Sequence, residues 1–357
     1  MSLGRDARIF VAGHRGLVGS ALCRELAAAG HENLLTRTHA ELDLLDQAAV
    51  RAFFAAERPE VVFLAAAKVG GILANDTWRG QFIHENLVIQ CNVMHEAMRC
   101  GAQRLVFLGS SCIYPRLAPQ PIREDSLLSG PLEPTNQPYA LAKIAGVEMC
   151  DAYNRQYGTR FIPVMPTNLY GERDNFDLCG SHVLPAMLRK FHLARLAQQG
   201  DFAAAAEDEA RRGPIPDEVK RALGLPPFPP CAPRAPLWGT GRVRREFLHA
   251  RDMARACVFL AFEHEGCELT NIGCGRDQTI AELAELVARV TGFDGPVDFD
   301  SSKPDGTPQK LLDVSRLFAL GWRPAIGLEE GLRAVYADYL AESALPSPAS
   351  AASGVAG

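Results

Sequence analysis

The chain has 357 residues, of which 47% are apolar and 22% charged, with a formal net charge of −5 and an isoelectric point near 6.0. These values exclude the broad basic surface that nucleic acids or anionic membranes attract. No apolar run approaches the roughly 20 residues of a bilayer span, and the first residues lack the apolar core of a signal peptide. We therefore expect a cytoplasmic protein that binds a small molecule, with no nucleic acid or membrane partner.

Ten cysteines are spread along the chain, and no two of them form a CxxC pair. This spacing fits neither a zinc site nor the disulfide framework of a small secreted domain. We expect the thiols to be reduced, most of them to be structural, and no metal to be bound. Cys112 differs because it follows the apolar run RLVFLG in the motif SSCIYP. A strand end rich in hydroxyl groups thus carries a thiol.

Strand-like and helix-like segments alternate through the first half of the chain. The strand-like segments are ARIFVAG, NLLTRT, VVFLAAA, RLVFLGS and RFIPVMP. The helix-like segments are SALCRELAAAG, AAVRAFFAAER and residues 86–101 and 139–157. This alternation predicts an α/β fold of the Rossmann type, a doubly wound parallel sheet covered on both faces. Ligands of such sheets bind beyond the carboxyl ends of the strands, where SSCIYP lies.

The second half of the chain predicts a smaller, C-terminal substrate-binding lobe. We assign 1–176 to a nucleotide-binding domain with a returning segment at 246–270, and we assign 177–245 and 271–342 to the lobe. The segment REFLHARDMARACVFLAFEH has a helical pattern. Residues 343–357 have no apolar periodicity, and we expect a disordered tail there.

A proline-rich and charge-rich stretch at about 197–236 interrupts the lobe. Within it we predict helices over Ala203–Arg212 and Asp217–Leu223, the second ended by Gly224. The remainder returns in an extended conformation towards Trp238. We expect this stretch to border the nucleotide pocket as a lid, and an inert surface insertion is the alternative.

A glycine-rich loop, GHRGLVG, lies between the first predicted strand and the first predicted helix. Gly13, Gly16 and Gly19 permit a tight turn and a close approach to a pyrophosphate at the helix N-terminus. The second strand ends in Arg37, where folds that bind NAD usually place an acidic residue, and the loop contains Arg15. Two guanidinium groups suit a 2′-phosphate, so we expect NADP(H). A solvated basic surface is the alternative.

A YxxxK pair, Tyr139 and Lys143, opens the predicted helix at 139–157. Positions i and i+4 share one helix face, so the ammonium can lie beside the phenol and favour its anion. The tyrosine then becomes a usable acid, and Ser110 at a strand end and the preceding nucleotide-binding loop favour this interpretation. An amphipathic surface helix would give the same spacing by chance.

These motifs, together with AAAKVGG, EPTNQPYALAK, PTNLYG, DNF, SHVLPA, WGTG, REFLH and KPDGTP, resemble the GDP-L-fucose synthases, a family of extended short-chain dehydrogenases/reductases. The resemblance covers about residues 8–340. It implies epimerisation of GDP-4-keto-6-deoxy-D-mannose at C3 and C5, followed by reduction at C4 with NADPH to give GDP-L-fucose. It also implies a homodimer formed through the two long helices at 86–101 and 139–157.

The resemblance also implies roles for individual residues. Cys112 and His182 resemble the base and the acid of the epimerisation, and Ser110, Tyr139 and Lys143 resemble the reductase triad. The implied cofactor-binding residues are Gly13, Arg15, Gly16, Leu17, Val18, Gly19, Arg37, Lys143, Pro166, Thr167, Asn168, Leu169 and His182. The implied substrate-binding residues are Ser110, Asn168, Lys190, Trp238, Arg245 and Asp305. The family pattern leads us to expect arginine at the positions of Lys190 and Gln309, and a further arginine near His39.

Each assignment has a simpler alternative. Cys112 is suited to proton abstraction because a thiolate is accessible near neutral pH, but free cysteines usually pack as small apolar side chains. His182 could cap or pack at a helix start. Trp238 could stack on the base of the nucleotide or anchor the core, since tryptophan is mostly buried.

Related activities are separated by the residues they require. A 4,6-dehydratase needs an acidic pair near the strand end, and Cys112-Ile113 offers none. A 4-epimerase needs neither the thiol nor the histidine of SHVLPA. A GDP-L-colitose synthase, which acts on a 3,6-dideoxy ketone and inverts only C5, is the nearest alternative. A nucleotide-binding scaffold without activity would have lost some of the five catalytic residues, and all are present.

Overall fold

The computed structural model describes residues 3–303 and 305–343, so the predicted tail lies, from residue 344 onward, outside the described residues. The strands are β1 (Ile9–Ala12), β2 (Leu34–Leu35), β3 (Val61–Leu64), β4 (Arg104–Leu108), β5 (Phe161–Pro166), β6 (Asn168–Tyr170), β7 (Ala235–Trp238), β8 (Arg244–His249), β9 (Thr270–Ile272), β10 (Asp277–Thr279), β11 (Val297–Asp300) and β12 (Gln309–Lys310). The helices are α1 (Leu17–Ala28), α2 (Gln47–Glu57), α3 (Ile72–Thr77), α4 (Arg79–Cys100), α5 (Gln137–Tyr157), α6 (Val183–Gln199), α7 (Phe202–Arg212), α8 (Asp217–Leu223), α9 (Ala250–Phe262), α10 (Ile280–Thr291), α11 (Ser315–Ala319) and α12 (Leu328–Ser343). Among the described residues, no helix is both long and apolar enough to cross a bilayer.

The chain forms two compact units, each assembled from separated stretches of sequence. The first unit takes in the described residues up to Arg173, together with Glu246–Asp277 and Lys310–Ile326. The second unit takes in Asp174–Arg245, Gln278–Gln309 and the described residues from Gly327 onward. The chain therefore leaves the first unit and returns to it twice.

The first unit is built on a parallel sheet with the strand order β2-β1-β3-β4-β5-β9. Every residue of β1, β3, β4 and β5 is buried, as a sheet covered on both faces requires. Alternate residues enter different apolar clusters: Phe10 and Val62 pack in one, Ile9 and Val61 in the other. The prediction of a Rossmann-type doubly wound sheet is confirmed.

Three predicted elements differ from the structure in extent or type. The second strand is limited to Leu34–Leu35. The long helix α4 begins at Arg79 instead of residue 86, directly after α3. The motif REFLH, predicted to be helical, belongs to strand β8, because Phe247–His249 pairs in parallel with β6. Helix α9 begins after this strand, and the His249 side chain caps it by accepting from the backbone N–H of Arg251.

The second unit contains β7 and β11, which pair in parallel, and the helices α6, α7, α8, α10 and α12. The two helices predicted in the proline-rich stretch are confirmed: α7 begins one residue early at Phe202, and α8 ends before Gly224, whose φ of 64° is left-handed. The stretch is packed into the unit, because the fully buried Arg189 of α6 pairs with Asp208 of α7 at 2.7 Å. The stretch is therefore an ordered part of the second unit, and both the lid and the inert insertion stay predictions.

Candidate active site

The glycine-rich loop between β1 and α1 leaves no room for side chains at two of its positions. Gly13 has a φ of +85°, and a Cβ atom there would lie 2.8 Å from the backbone nitrogen of Ala66. A Cβ atom on Gly19 would lie 2.1 Å from the carbonyl oxygen of Gly13. These contacts bring the loop, the end of β3 and the first turn of α1 together at the carboxyl edge of the sheet.

The start of α1 is open to an anion. Gly16 is the residue before the helix, no side chain caps the first backbone N–H groups, and the first turn, which holds Leu17 and Val18, contains no acidic residue. The N–H groups and the positive end of the helix dipole suit a pyrophosphate. The loop and helix start therefore fit the diphosphate of a dinucleotide cofactor.

Arg37 and Arg15, the expected 2′-phosphate ligands, have different surroundings. Arg37 lies beyond the end of β2, and its Nη2 contacts the Glu57 carboxylate at 2.5 Å while its guanidinium lies 5.3 Å from the Phe53 ring centre. Arg15 is exposed in the loop. His39, near which we expected arginine, is also exposed and approaches Asp43 at 3.9 Å. Arg37 is thus held by the Glu57 carboxylate and by the carbonyl oxygen of Thr36, to which its Nη1 donates at 2.8 Å.

The motif SSCIYP forms a tight turn at the end of β4. Ser110 precedes a single 3₁₀ turn, Ser111–Ile113, and its Oγ accepts from the backbone N–H of Cys112 at 3.2 Å. Ile113 and Tyr114 are buried beneath the turn, and the Tyr114 hydroxyl donates to Oδ1 of Asn271 at 2.6 Å. The turn therefore has a fixed base, and Cys112 is half-buried above it.

The thiol of Cys112 has a lysine beside it. The Nζ of Lys310 donates to Sγ of Cys112 at 3.4 Å. Burial by itself raises the pKa of the thiol, but the Lys310 charge and the hydrogen bonds from Ser110 and Lys310 outweigh it, so the pKa of Cys112 is lowered. The negative charge of Glu133 acts in the opposite direction. The arrangement favours a thiolate.

Tyr139 and Lys143 lie on α5 next to this turn. The side chain of Ser110 hydrogen-bonds to the Tyr139 phenol, whose pKa is raised by burial and then by the negative charge of Cys112. The Nζ of Lys143 lies 5.9 Å from the centre of the Tyr139 ring and donates to the carbonyl oxygen of Leu108 at 2.8 Å. Burial lowers the pKa of Lys143 to about 7. Burial of both side chains therefore acts against the phenolate that the YxxxK spacing predicts, and favours the neutral phenol.

The residues after β5 contact one buried glutamate, Glu246. Pro166 ends β5, and the Oγ1 of Thr167 and the Nδ2 of Asn168 both donate to the carbonyl oxygen of Glu246, at 3.2 and 2.8 Å. The carboxylate of Glu246 accepts from the backbone N–H groups of Cys274, Gly275 and Leu312. Leu169 continues the chain in β6. Glu246 thus joins the β5 end, the loop after β9 and the segment that follows β12.

His182 belongs to the second unit and lies at the start of α6. It is exposed, and its backbone rather than its side chain takes the N-cap position. The backbone N–H of Ala186 donates to its carbonyl oxygen at 3.1 Å. Capping is therefore not the function of the imidazole. Packing does not account for it either, since the side chain lies at the surface.

The implied substrate-binding residues of the second unit are grouped around β7. Lys190 Nζ donates to the carbonyl oxygen of Pro236 at 3.0 Å. Trp238 ends β7 and is 45% exposed, so it is not a core anchor, and Lys303 lies 5.2 Å from its ring centre. The carboxylate of Asp305 accepts from the N–H and hydroxyl of Thr240, and Arg245 donates to the Asp305 carbonyl oxygen.

This group contains an exposed aromatic ring and three basic side chains. Lys190, Lys303 and Arg245 supply positive charge, and Asp305 fixes the loop that follows β7. Burial lowers the pKa of Lys190, while the nearby charge of Glu218 on α8 raises it. An aromatic surface flanked by lysine and arginine suits a nucleoside diphosphate.

Sequence reasoning missed Lys310, Glu57 and Glu246. Lys310 directly follows Gln309, which we singled out only for its departure from the family pattern. The two partners in the Cys112–Lys310 contact are 198 residues apart, so no local spacing connects them. Glu246 stands in the quoted motif REFLH, but its complete burial is visible only in the structure.

Comparison with known proteins places these motifs in a family. A family model described as the NAD dependent epimerase/dehydratase family matches residues 9–212 and 216–273. GDP-L-fucose synthase 1 of Arabidopsis thaliana is 51% identical, covering 94% of both chains. GDP-L-fucose synthase of Escherichia coli (strain K12) is 49% identical, covering 93% of this chain and 96% of the relative. GDP-L-colitose synthase of Yersinia pseudotuberculosis is 31% identical, covering 91% and 95%.

Solved structures agree with this placement. The structure of a GDP-D-glycero-L-gluco-heptose synthase from Campylobacter jejuni in the presence of NADPH has a TM-score of 0.85 and 39% identity, covering 95% of this chain and 99% of that chain. The motifs Gly13–Gly19, SSCIYP and YALAK all lie within the matched ranges. The chain belongs to the NAD dependent epimerase/dehydratase family and, within it, to the GDP-L-fucose synthases.

Proposed function

We propose that the chain converts GDP-4-keto-6-deoxy-D-mannose to GDP-L-fucose, by epimerisation at C3 and C5 and then reduction at C4. The observation that carries the proposal is the contact of Cys112 with Lys310 beside Ser110 and Tyr139. The turn after β4 and the helix α5 thus bring together a thiolate and a neutral phenol. Those are the two groups that a proton abstraction and a ketone reduction need.

Epimerisation depends on the ketone at C4. Both inverted carbons flank this carbonyl, so enolate formation acidifies their protons. The Cys112 thiolate takes a proton from one face, and His182 returns one to the opposite face. Ser110 and Tyr139 donate hydrogen bonds to the oxygen that carries the enolate charge. Inversion follows because the two protons travel on opposite sides of the carbon.

Reduction uses the phenol. A bound NADPH supplies the hydride, and the glycine loop with Leu17 and Val18 fits its diphosphate, while Arg15 and Arg37 suit its 2′-phosphate. Tyr139 then donates its proton to the alkoxide at C4. Its raised pKa supports this role because a donor must reach the reaction in its protonated form.

The sugar nucleotide is assigned to the second unit and the cofactor to the first. Trp238 offers a stacking surface, and Lys190 and Arg245 offer positive charge to the diphosphate. Ser110, Asn168 and Asp305 complete the set of substrate contacts, and Lys143, Pro166, Thr167, Asn168, Leu169 and His182 that of cofactor contacts. Glu218 belongs to the stretch 197–236, and its charge acts on Lys190, a proposed substrate contact. This proximity supports the role of the stretch as a lid.

The direct test is to incubate the protein with GDP-4-keto-6-deoxy-D-mannose and NADPH and to identify the product sugar by NMR. GDP-L-fucose with consumption of one NADPH per product supports the proposal, and absence of turnover contradicts it. The colitose alternative predicts faster turnover of the 3,6-dideoxy ketone than of the 6-deoxy ketone, so the two substrates are compared at equal concentration.

We further propose a homodimer in a reducing, cytoplasmic setting. The ten cysteines are free in the structure, which suits such a setting. An apolar groove on α4 and α5 supports a contact between copies. It is lined by Arg79, Gly80, Ile83, Gln137, Pro138 and Leu141. Light scattering of the wild type and of Leu141→Asp tests this, because a dimer through the groove should dissociate in the variant.

A further inference from the structure

Lys310 lies in the site without a part in the chemistry described so far. Its Nζ is 3.4 Å from Sγ of Cys112, and both residues belong to the first unit. Both are only partly buried. A surface lysine is long and rotates freely, so a directed contact with one thiol requires that its backbone be held.

The backbone after Lys310 is held by three hydrogen bonds. The N–H of Leu311 donates to Oε1 of Gln120 at 2.9 Å, and its carbonyl oxygen accepts from Ile122 at 2.8 Å. The N–H of Leu312 donates to the buried carboxylate of Glu246 at 3.0 Å. Leu312 itself is buried in the apolar core. The direction in which the Lys310 side chain leaves the chain is therefore fixed.

Two other groups act on the same sulfur, and a third responds to its charge. The hydroxyl of Ser110 hydrogen-bonds to it, while the negative charge of Glu133 disfavours its anion. Tyr139 is close enough for the charge of the thiolate to act on it. Among the groups that face Cys112 in the described part of the chain, Lys310 supplies the positive charge.

We propose that Lys310 is a positioning residue for the epimerisation, which holds the Cys112 side chain as an anion and aims it at the substrate. The inference rests on the proposed function. In each turnover the thiolate accepts a carbon-bound proton and becomes a thiol, and the proton then leaves to solvent, which restores the thiolate. Lys310 stays an ammonium throughout. It contributes to the reaction through its charge and position and forms no covalent bond.

The first experiment measures the pH dependence of Cys112 alkylation by iodoacetamide in the protein without substrate. Trypsin releases Cys112 in the peptide 105–116, which contains no other cysteine, so mass spectrometry follows this thiol alone. A labelled synthetic peptide of the same sequence, added to the sample, provides the unfolded reference. Accessibility changes the plateau rate, whereas charge changes the midpoint of the profile.

We expect the wild-type midpoint to lie below that of the peptide. Lys310→Met should move it to higher pH and slow alkylation at pH 7 by about tenfold or more, and Lys310→Arg should keep it near the wild-type position. Lys220→Met is the matched control, because it removes the same charge from an amine that pairs with Glu209. A wild-type midpoint at or above that of the peptide would overturn the inference, even if Lys310→Met failed to fold.

The second experiment follows solvent deuterium exchange into C3 and C5. Lys310→Met should lower kcat for exchange at pH 7 by about tenfold, recover at higher pH and keep the wild-type KM. A raised KM with an unchanged pH profile would mean that the lysine binds the diphosphate, which overturns the inference. If alkylation of Cys112 depends on Lys310 but the wild type exchanges no deuterium, the proposed function is refuted. The inference that Lys310 stabilises the Cys112 thiolate would then still stand.

Discussion

The Nζ of Lys143 donates to the backbone carbonyl oxygen of Leu108 at 2.8 Å. Leu108 is the last residue of β4, and Ser110 and Cys112 lie two and four residues after it. The lysine of the YxxxK pair therefore connects α5 to the turn that carries the thiol. Both proposed half-reactions depend on this junction, but they draw on different side chains, so substitutions should separate them.

Cys112→Ser should abolish epimerisation and spare reduction. The hydroxyl of serine is of similar size but provides no anion near neutral pH. We expect loss of solvent deuterium exchange into C3 and C5, measured by NMR, together with slow NADPH-dependent reduction of the unepimerised ketone. Exchange at the wild-type rate would mean that the thiol only packs.

Tyr139→Phe should have the reverse effect. The variant keeps the thiolate and loses the proton donor, so reduction should fall by about 10²- to 10⁴-fold while deuterium exchange continues. Exchange should slow somewhat, because the phenol also hydrogen-bonds to the enolate oxygen. NADPH oxidation at 340 nm and NMR exchange on the same sample measure both rates. Equal loss of both would contradict the division of roles.

Cofactor choice should depend on Arg37 and on the acid that holds it. Arg37→Ala should weaken NADPH binding by about tenfold or more and leave NADH unchanged, since a hydrogen bond to a charged group is worth about 1.5 to 3 kcal/mol. Glu57→Gln should tighten NADPH several-fold, because the carboxylate at 2.5 Å competes with the 2′-phosphate for the guanidinium. Titration calorimetry with both cofactors measures this. Equal wild-type affinities for NADPH and NADH would refute it.

The stability of the cofactor-free protein should depend on Lys143. Burial lowers its pKa to about 7 from an ordinary value of 10.5. Between these values the unfolded chain holds a proton that the folded protein has lost, so stability rises with pH across the window, and the cost of the buried charge is fully present below about pH 7. Lys143→Met removes this titration.

The wild type should therefore gain about 1 to 3 kcal/mol relative to Lys143→Met between about pH 7 and pH 10. Urea unfolding of both proteins across this range measures the difference, in which the titrations of other groups cancel. A constant difference would show that Lys143 keeps its ordinary protonation in the folded protein.

The role of the proline-rich stretch can be tested at Glu218. This exposed side chain of α8 places a negative charge near Lys190. If the stretch borders the diphosphate site, Glu218→Gln should lower the KM for the sugar nucleotide several-fold with kcat unchanged, because it removes repulsion. Asp217→Asn is the matched control one residue earlier. An unchanged KM would indicate that α8 lies away from the substrate.

The sequence was sufficient for the parts of the fold that local patterns determine. Buried apolar runs marked β1, β3, β4 and β5, and Gly224 marked the end of α8. REFLH was misassigned because its strand character comes from pairing with Asn168–Tyr170, which lie far away in sequence. Because the residues that follow REFLH have a helical pattern, we predicted the helix to include REFLH as well. Pairing with a distant strand determines the structure of that segment.

The same distinction applies to the candidate site. Cys112, Tyr139 and Lys143 stand in motifs of their own, so the sequence located them, and their roles remain predictions. The groups that set their protonation do not share those motifs: Lys310 approaches the thiol, and burial acts on the phenol and the amine. Charge and burial at a site come from contacts across the fold, which one sequence does not reveal.

The separation of Cys112 and Lys310 by 198 positions has a consequence for synthesis of the protein. A ribosome that adds about 5 to 20 residues per second makes the lysine roughly 10 to 40 seconds after the thiol. For most of that interval β9, an edge strand of the sheet, is also missing from the first unit, and the segment 310–326 is missing throughout it. Nascent chains therefore carry a thiol without its ammonium partner, and a product truncated before Lys310 would have a cysteine at the strand end but no activated base.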